Sequence, residues 1–301
     1  MAVPYEVFDK FWSMVGKSDE KRIASQTPTP GVAKRLDIPY VDDGRREHLL
    51  DVYRPEQAEG ALPLIVDIHG GGWLYGYKEI NTNYNLYLSS KGFTVVSINY
   101  RLGPEAPIYE QVRDVFEALA FIEKNAGDFG ADLGNAFLCG DSAGGQLAAI
   151  ACAVMARPDL QAIYGVTAPG FSFRAAGIVC GAYDVEFILR LPAAKHYAEA
   201  ILGKDFKTSR FRTLVNMSDI LKVDTDLPPI WMSSSQEDFI GFLSIRFDKL
   251  LTKLGKEHTF RRYGRSRDHA LPHVFNVTNP EYRESMDAND RMLAYFRNHM
   301  R

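Results

Sequence analysis

Residues 136–145 read Ala-Phe-Leu-Cys-Gly-Asp-Ser-Ala-Gly-Gly, and the stretch beyond them, Leu147 to Met155, is small and apolar all round. A short apolar run, a glycine-flanked serine and an uninterrupted apolar helix describe a strand that turns sharply into a buried helix. The glycines let strand and helix backbones approach without a side chain between them. Ser142 then stands at the helix N-terminus, where the helix dipole favours developing negative charge. The pentapeptide Gly140–Gly144 is short and rich in glycine, so its weight depends on what surrounds it.

Outward from this turn, short apolar runs alternate with helical patterns. Leu62 to Ile68 and Phe93 to Tyr100 read as strands, followed by Ala136 to Cys139, Ala175 to Gly181, Ile230 to Ser234 and Glu257 to Tyr263. Tyr109, Val112, Val115, Phe116, Leu119 and Ile122 share one helix face, and Phe242 to Leu254 and Met286 to Phe296 complete the helical set. Strands apolar throughout, with helices between them, imply a largely parallel sheet covered on both faces. Leu36 to Tyr40 and Leu49 to Tyr53 flank Asp43-Gly44, which predicts an antiparallel hairpin at one edge.

Two segments break the alternation. Residues 1 to about 30 hold an amphipathic stretch (Val7, Phe8, Phe11, Trp12, Val15) and a Pro/Thr-rich connector. Residues 185 to 225 also read as helical, through Phe187, Ile188, Leu191, Tyr197, Ile201 and Leu202. The expectation is a single domain over 1–301, with these two segments as cap elements over the carboxyl ends of the strands, where open α/β sheets place their sites.

A second motif supports the serine. His69-Gly70-Gly71-Gly72-Trp73 follows the strand ending at Ile68 and presents backbone N–H groups with no side chain to shield them. Gly71 and Gly72, joined by the N–H of Ala143, are the candidate oxyanion donors. No Lys-Ser/Thr ending follows to make a phosphate loop, and dinucleotide spacing is poorly met. A glycine loop before a Gly-x-Ser-x-Gly turn implies the α/β-hydrolase fold, which requires an acid and then a histidine downstream. Asp238, on the loop after the fifth strand, is the candidate acid, with Glu237 second. His269 and His273 both follow the sixth strand and either satisfies the order, whereas His69 comes too early and reads as a loop-fixing residue. His48, His196, His258 and His299 read as surface residues. Trp73, Tyr75, Tyr77, Tyr84 and Tyr87 are candidates for lining a substrate pocket, with Trp73 and Tyr75 foremost. Asp184 reads as a loop-capping carboxylate.

The bulk composition narrows the class. A net charge of −3 over 301 residues gives no reason to expect a nucleic-acid partner. Arg261, Arg262, Arg265 and Arg267 read as a solvated loop. Three cysteines (Cys139, Cys152, Cys180) in apolar surroundings read as buried free thiols rather than a disulfide framework. No stretch approaches the roughly 20 apolar residues of a membrane span, and the first residues make a poor signal peptide, so a cytoplasmic location is expected.

At His69–Trp73, Asn99–Glu105 with Asp114, Gly140–Gly145, Leu227–Pro229 leading to Asp238, and His273–Phe275, the chain resembles the hormone-sensitive-lipase-like (bacterial family IV) esterases. The resemblance spans residues 62 to 275 in the family's order and selects His273 over His269. It departs from the family's pattern at Gly103 and in a longer loop before His273. It implies hydrolysis of short-chain carboxylic esters, acetyl to butyryl, through an acyl-enzyme, with no cofactor and no metal. A homodimer through the last strand or helix is a further implication. Acetylated or feruloylated plant carbohydrate esters are the alternative substrates, and a non-catalytic ligand-binding relative is the rival of another class.

Overall fold

The computed structural model describes residues 5–189 and 194–301. Eight strands form one sheet: β1 (Val32–Pro39), β2 (Leu49–Pro55), β3 (Leu62–Ile68), β4 (Thr94–Ile98), β5 (Ala131–Asp141), β6 (Phe173–Val179), β7 (Ile230–Ser235) and β8 (His258–Tyr263). Their spatial order is β1-β2-β4-β3-β5-β6-β7-β8. The predicted hairpin is there, with β1 antiparallel to β2 at the edge and β2 antiparallel to β4. From β4 onward every pairing is parallel, and the whole is the α/β architecture expected of an α/β-hydrolase.

Pleating explains why both faces are covered. On β3, Leu64, Val66 and Ile68 point into a core shared with α3 (Ile108–Phe129), α4 (Ser142–Ala156) and α10 (Gly241–Lys253). Ile65 points the other way, into a second core with α2 (Thr82–Ser90) and α12 (Arg283–Asn298). α4 is buried almost throughout, as its composition predicted. No single helix among the described residues is long and apolar enough to cross a membrane. All three cysteines are buried and free.

Two elements depart from expectation. β5 runs to 11 residues where the apolar run Ala136 to Cys139 predicts four, because its N-terminal half is polar and partly exposed at the sheet margin. α2 was not foreseen: its sequence, Thr-Asn-Tyr-Asn-Leu-Tyr-Leu-Ser-Ser, has no helical periodicity, since nearly every side chain in it is buried. The connections β3–α2–β4 and β4–α3–β5 place β4 and β5 on opposite sides of β3, so the strand order reverses there. In this register Ile68 lies beside Gly140, which brings the loops after β3 and β5 together.

α1 (Tyr5–Ser25) realises the amphipathic N-terminal stretch. Between β6 and β7 lie α6 (Glu186–Leu189), α7 (Lys195–Leu202), α8 (Phe211–Leu214) and α9 (Met217–Ile220); Leu191, counted among the apolar positions of that segment, lies outside the described residues. α1 meets α7, with Phe8 edge-on to Tyr197 at 5.3 Å.

Candidate active site

The loops at the carboxyl ends of β3, β5, β7 and β8 converge on Ser142. Its Oγ donates to His273 Nε2 at 2.8 Å. His273 Nδ1 donates to Asp238 Oδ1 at 2.7 Å, which leaves Nε2 as the acceptor. Asp238 Oδ2 accepts from the Ser234 hydroxyl at 2.7 Å, and Oδ1 also takes the Ile240 N–H at 3.0 Å. Burial alone would raise the Asp238 carboxyl. The hydrogen bond and charge of His273, with Ser234 and the Ile240 N–H, outweigh it and hold the group below the ordinary carboxylate value. Asp238 therefore stays ionised facing the imidazole, and its capping of the turn into α10 accompanies that contact rather than replacing it.

The alternatives weighed from sequence fall elsewhere. His269 Nε2 pairs with Glu284 at 3.1 Å and its ring packs on Tyr282. Glu237 accepts the Leu271 N–H at 2.7 Å, so it pins the loop that carries His273. Asp184 accepts the Ser218 N–H and caps α9. His69 is fully buried, stacks on Tyr100 at 4.4 Å and is pushed down to about 4 by burial, which keeps it neutral. His48 is a correction. It is buried rather than at the surface, because Asp43 takes its Nδ1 at 2.7 Å and Tyr40 packs beside it. The four arginines from Arg261 to Arg267 are exposed, as expected.

The glycine loop owes its shape to its composition. Gly71 has φ +119°, and a Cβ there would lie 1.9 Å from the Tyr75 carbonyl oxygen. Gly72 has φ +59°, and a Cβ there would meet Tyr197 and Trp12. Among the described residues the N–H groups of Gly71 and Gly72 have no acceptor, and the N–H of Ala143 is one of the unpaired donors of the first turn of α4. The loop is tied to the serine's own strand by Gly70 N–H donating to Asp141 Oδ1 at 3.0 Å. Asn81 donates to the same oxygen and also to Asp67, which takes Asn85 and Ser97 as well. Burial, and secondarily the Asp141 charge, push the Asp67 carboxyl up to about 7. Asp141 and Asp67 were missed from sequence; an acid inside the Gly-Asp-Ser-Ala-Gly turn and another in an otherwise apolar strand are the signals that were available.

Backbone strain gathers here. Ser142, Trp73, Cys180 and Val274 all have positive φ, four of the five non-glycine residues among those described that do. Cys180 Sγ accepts the Val274 N–H at 3.3 Å beside His273. Cys180, Asp238 and His273 are close enough to share a metal ion. However, Nδ1 and Oδ1 are engaged with one another, and burial pushes the thiol up, against the thiolate a metal requires.

A cavity of about 710 Å³ opens above Ser142 and His273. Phe8, Phe11, Trp12 and Val15 of α1 line it, with Phe187, Ile188 and Tyr197 from the segment between β6 and β7. Tyr75 lines it too, stacked on Trp12 at 5.3 Å. Trp73 borders it, but its indole is buried and donates to Gln146 at 2.8 Å. Tyr77 does not border it, and Tyr84 and Tyr87 pack in the core beneath α2, so those three leave the candidate pocket set.

Known proteins resemble this chain at several levels. Esterase B from Lactobacillus rhamnosis has a solved structure that superposes with a TM-score of 0.91 at 29% identity, covering 97% of this chain and 93% of that one. The same enzyme was solved inhibited by a C4-C4 tributyrin phosphonate. Esterase LipQ of Mycobacterium tuberculosis is 34% identical over 220 residues, 68% of this chain and 49% of LipQ. Isoprenylcysteine alpha-carbonyl methylesterase ICME of Arabidopsis thaliana is 32% identical over 127 residues, 42% of this chain and 29% of that protein. The chain thus spans less than half the length of these curated relatives. The BD-FAE family model matches residues 50–241, from β2 through the serine turn to the loop that carries Asp238. With well over half its length in that match, the chain belongs to the BD-FAE family.

Proposed function

We propose that the protein is a serine carboxylesterase that cleaves short-chain acyl esters, acetyl to butyryl, through an acyl-enzyme. The observation that carries this reading is the unbroken chain from Ser142 Oγ through His273 to Asp238, at 2.8 and 2.7 Å. As His273 Nε2 takes its proton, Ser142 Oγ attacks the ester carbonyl carbon. Charge passes to the carbonyl oxygen, which the N–H groups of Gly71, Gly72 and Ala143 receive; one such donor is worth on the order of 3 kcal/mol of barrier. Collapse of the tetrahedral intermediate expels the alcohol oxygen, protonated from Nε2. Water, deprotonated by the same nitrogen, then attacks the acyl-serine, and Ser142 recovers its proton. Asp238 stabilises the imidazolium throughout.

The motifs from His69 to His273 support placing the protein in the hormone-sensitive-lipase-like branch, with α1 and the segment between β6 and β7 as its cap and Tyr75 as a substrate contact. Inhibition of the similar esterase B by a tributyrin phosphonate supports butyryl-sized acyl groups. Membership of the BD-FAE family favours a second reading, a feruloyl- or acetyl-esterase acting on carbohydrate esters. An ester panel separates the two. The first reading predicts turnover of p-nitrophenyl acetate and butyrate and a fall of about 10³-fold or more in Ser142→Ala. No turnover from C2 to C8 acyl chains, or full rate in Ser142→Ala, contradicts it.

A further inference from the structure

The mechanism divides the cavity. The carbonyl oxygen goes to the N–H groups of Gly71, Gly72 and Ala143, and the leaving oxygen must lie within reach of His273 Nε2, which protonates it. The rest of the alcohol then runs along whatever wall adjoins the imidazole. Phe239 supplies that wall. It lines the cavity, and its ring lies 4.7 Å from that of His273, tilted by 57°. It is also 76% exposed, more than any other large apolar side chain described. Ile240 and Phe187 continue the surface, with Phe242 set edge-on to Phe187 at 5.7 Å. The charged residues of α1 that border the cavity, Asp19 and Arg22, are paired with each other at 2.9 Å. A phenyl ring held in water beside a general acid gains by being covered with an apolar group.

We propose that Phe239 selects the leaving alcohol, and that the preferred substrates are esters of alcohols bearing an apolar, planar group. The proposal rests on the esterase reading above. Its test holds the acyl group at acetate and varies the alcohol, comparing benzyl acetate with 2-methoxyethyl acetate, whose alcohols differ little in acidity. Wild-type enzyme is expected to favour benzyl acetate by about tenfold in kcat/KM. Phe239→Ala should lower that ratio about fivefold and Phe239→Leu by less, since leucine keeps apolar area without the ring. The ratio of p-nitrophenyl butyrate to acetate, which varies only the acyl group, should stay within about twofold. An unchanged benzyl ratio in Phe239→Ala overturns the proposal, as does an acyl ratio that moves equally. A wild-type preference for a monoacetylated methyl glucoside over benzyl acetate overturns it too. Ser142-dependent turnover of p-nitrophenyl acetate tests the esterase reading by itself, so the two ideas fail separately.

Discussion

His269 and His273 stand four residues apart on one loop, and their surroundings separate them completely. His273 bridges Ser142 and Asp238, whereas His269 is turned toward Glu284 and Tyr282. His273→Ala should therefore lower kcat for p-nitrophenyl butyrate by about 10⁴-fold or more. His269→Ala should stay within about threefold, as a change distant from the reacting atoms. Steady-state kinetics of the two variants check this, and comparable losses in both would reject the assignment. Sequence order alone admits either histidine, and it is the resemblance at His273–Phe275 that selects His273. Physically, the positive φ of Val274 and the Leu271 N–H bond to Glu237 aim one imidazole and not the other. Neither leaves a mark in the sequence.

At the level of elements, the strands and the long helices were legible because each carries a repeating apolar pattern set by which side faces a core. β3 and the serine-bearing turn with α4 fall where their residues predict. α2 was not legible, because burial on all sides erases the periodicity that marks a helix. The aromatic residues near the glycine loop show the complementary failure. Composition places Tyr75, Tyr84 and Tyr87 together, yet only Tyr75 borders the cavity, since the others lie across the sheet on α2. Phe239 was hidden for a different reason, since the turn into α10 reaches the site only through tertiary packing, whereas Trp12 was already marked by the amphipathic pattern of the N-terminal stretch. α1 is held there by Arg22, which donates to the Ile80 and Thr278 carbonyls, and by Tyr75 donating to Asp19.

For the whole molecule, the buried Asp67 network links function to stability. Burial, and then the Asp141 charge, push the Asp67 carboxyl up to about 7 in the folded chain, against about 4 for an unperturbed carboxyl. Between those values the folded chain keeps a proton that the unfolded chain has lost, so stability falls as pH rises through that window and levels off above it. Urea unfolding across pH 4.5 to 8 should show this decline in wild type and a flatter profile in Asp67→Asn. Parallel profiles would mean that Asp67 holds no proton in the folded state. In the proposed mechanism Ser142 carries the acyl group between the two half-reactions. Mixing enzyme with p-nitrophenyl butyrate, quenching in acid within the first turnover and mapping peptides by mass tests it most directly. The expected result is one butyryl group per chain, on the peptide that contains Ser142, with none in Ser142→Ala. Turnover without that adduct, or a butyryl group on another residue, would contradict it.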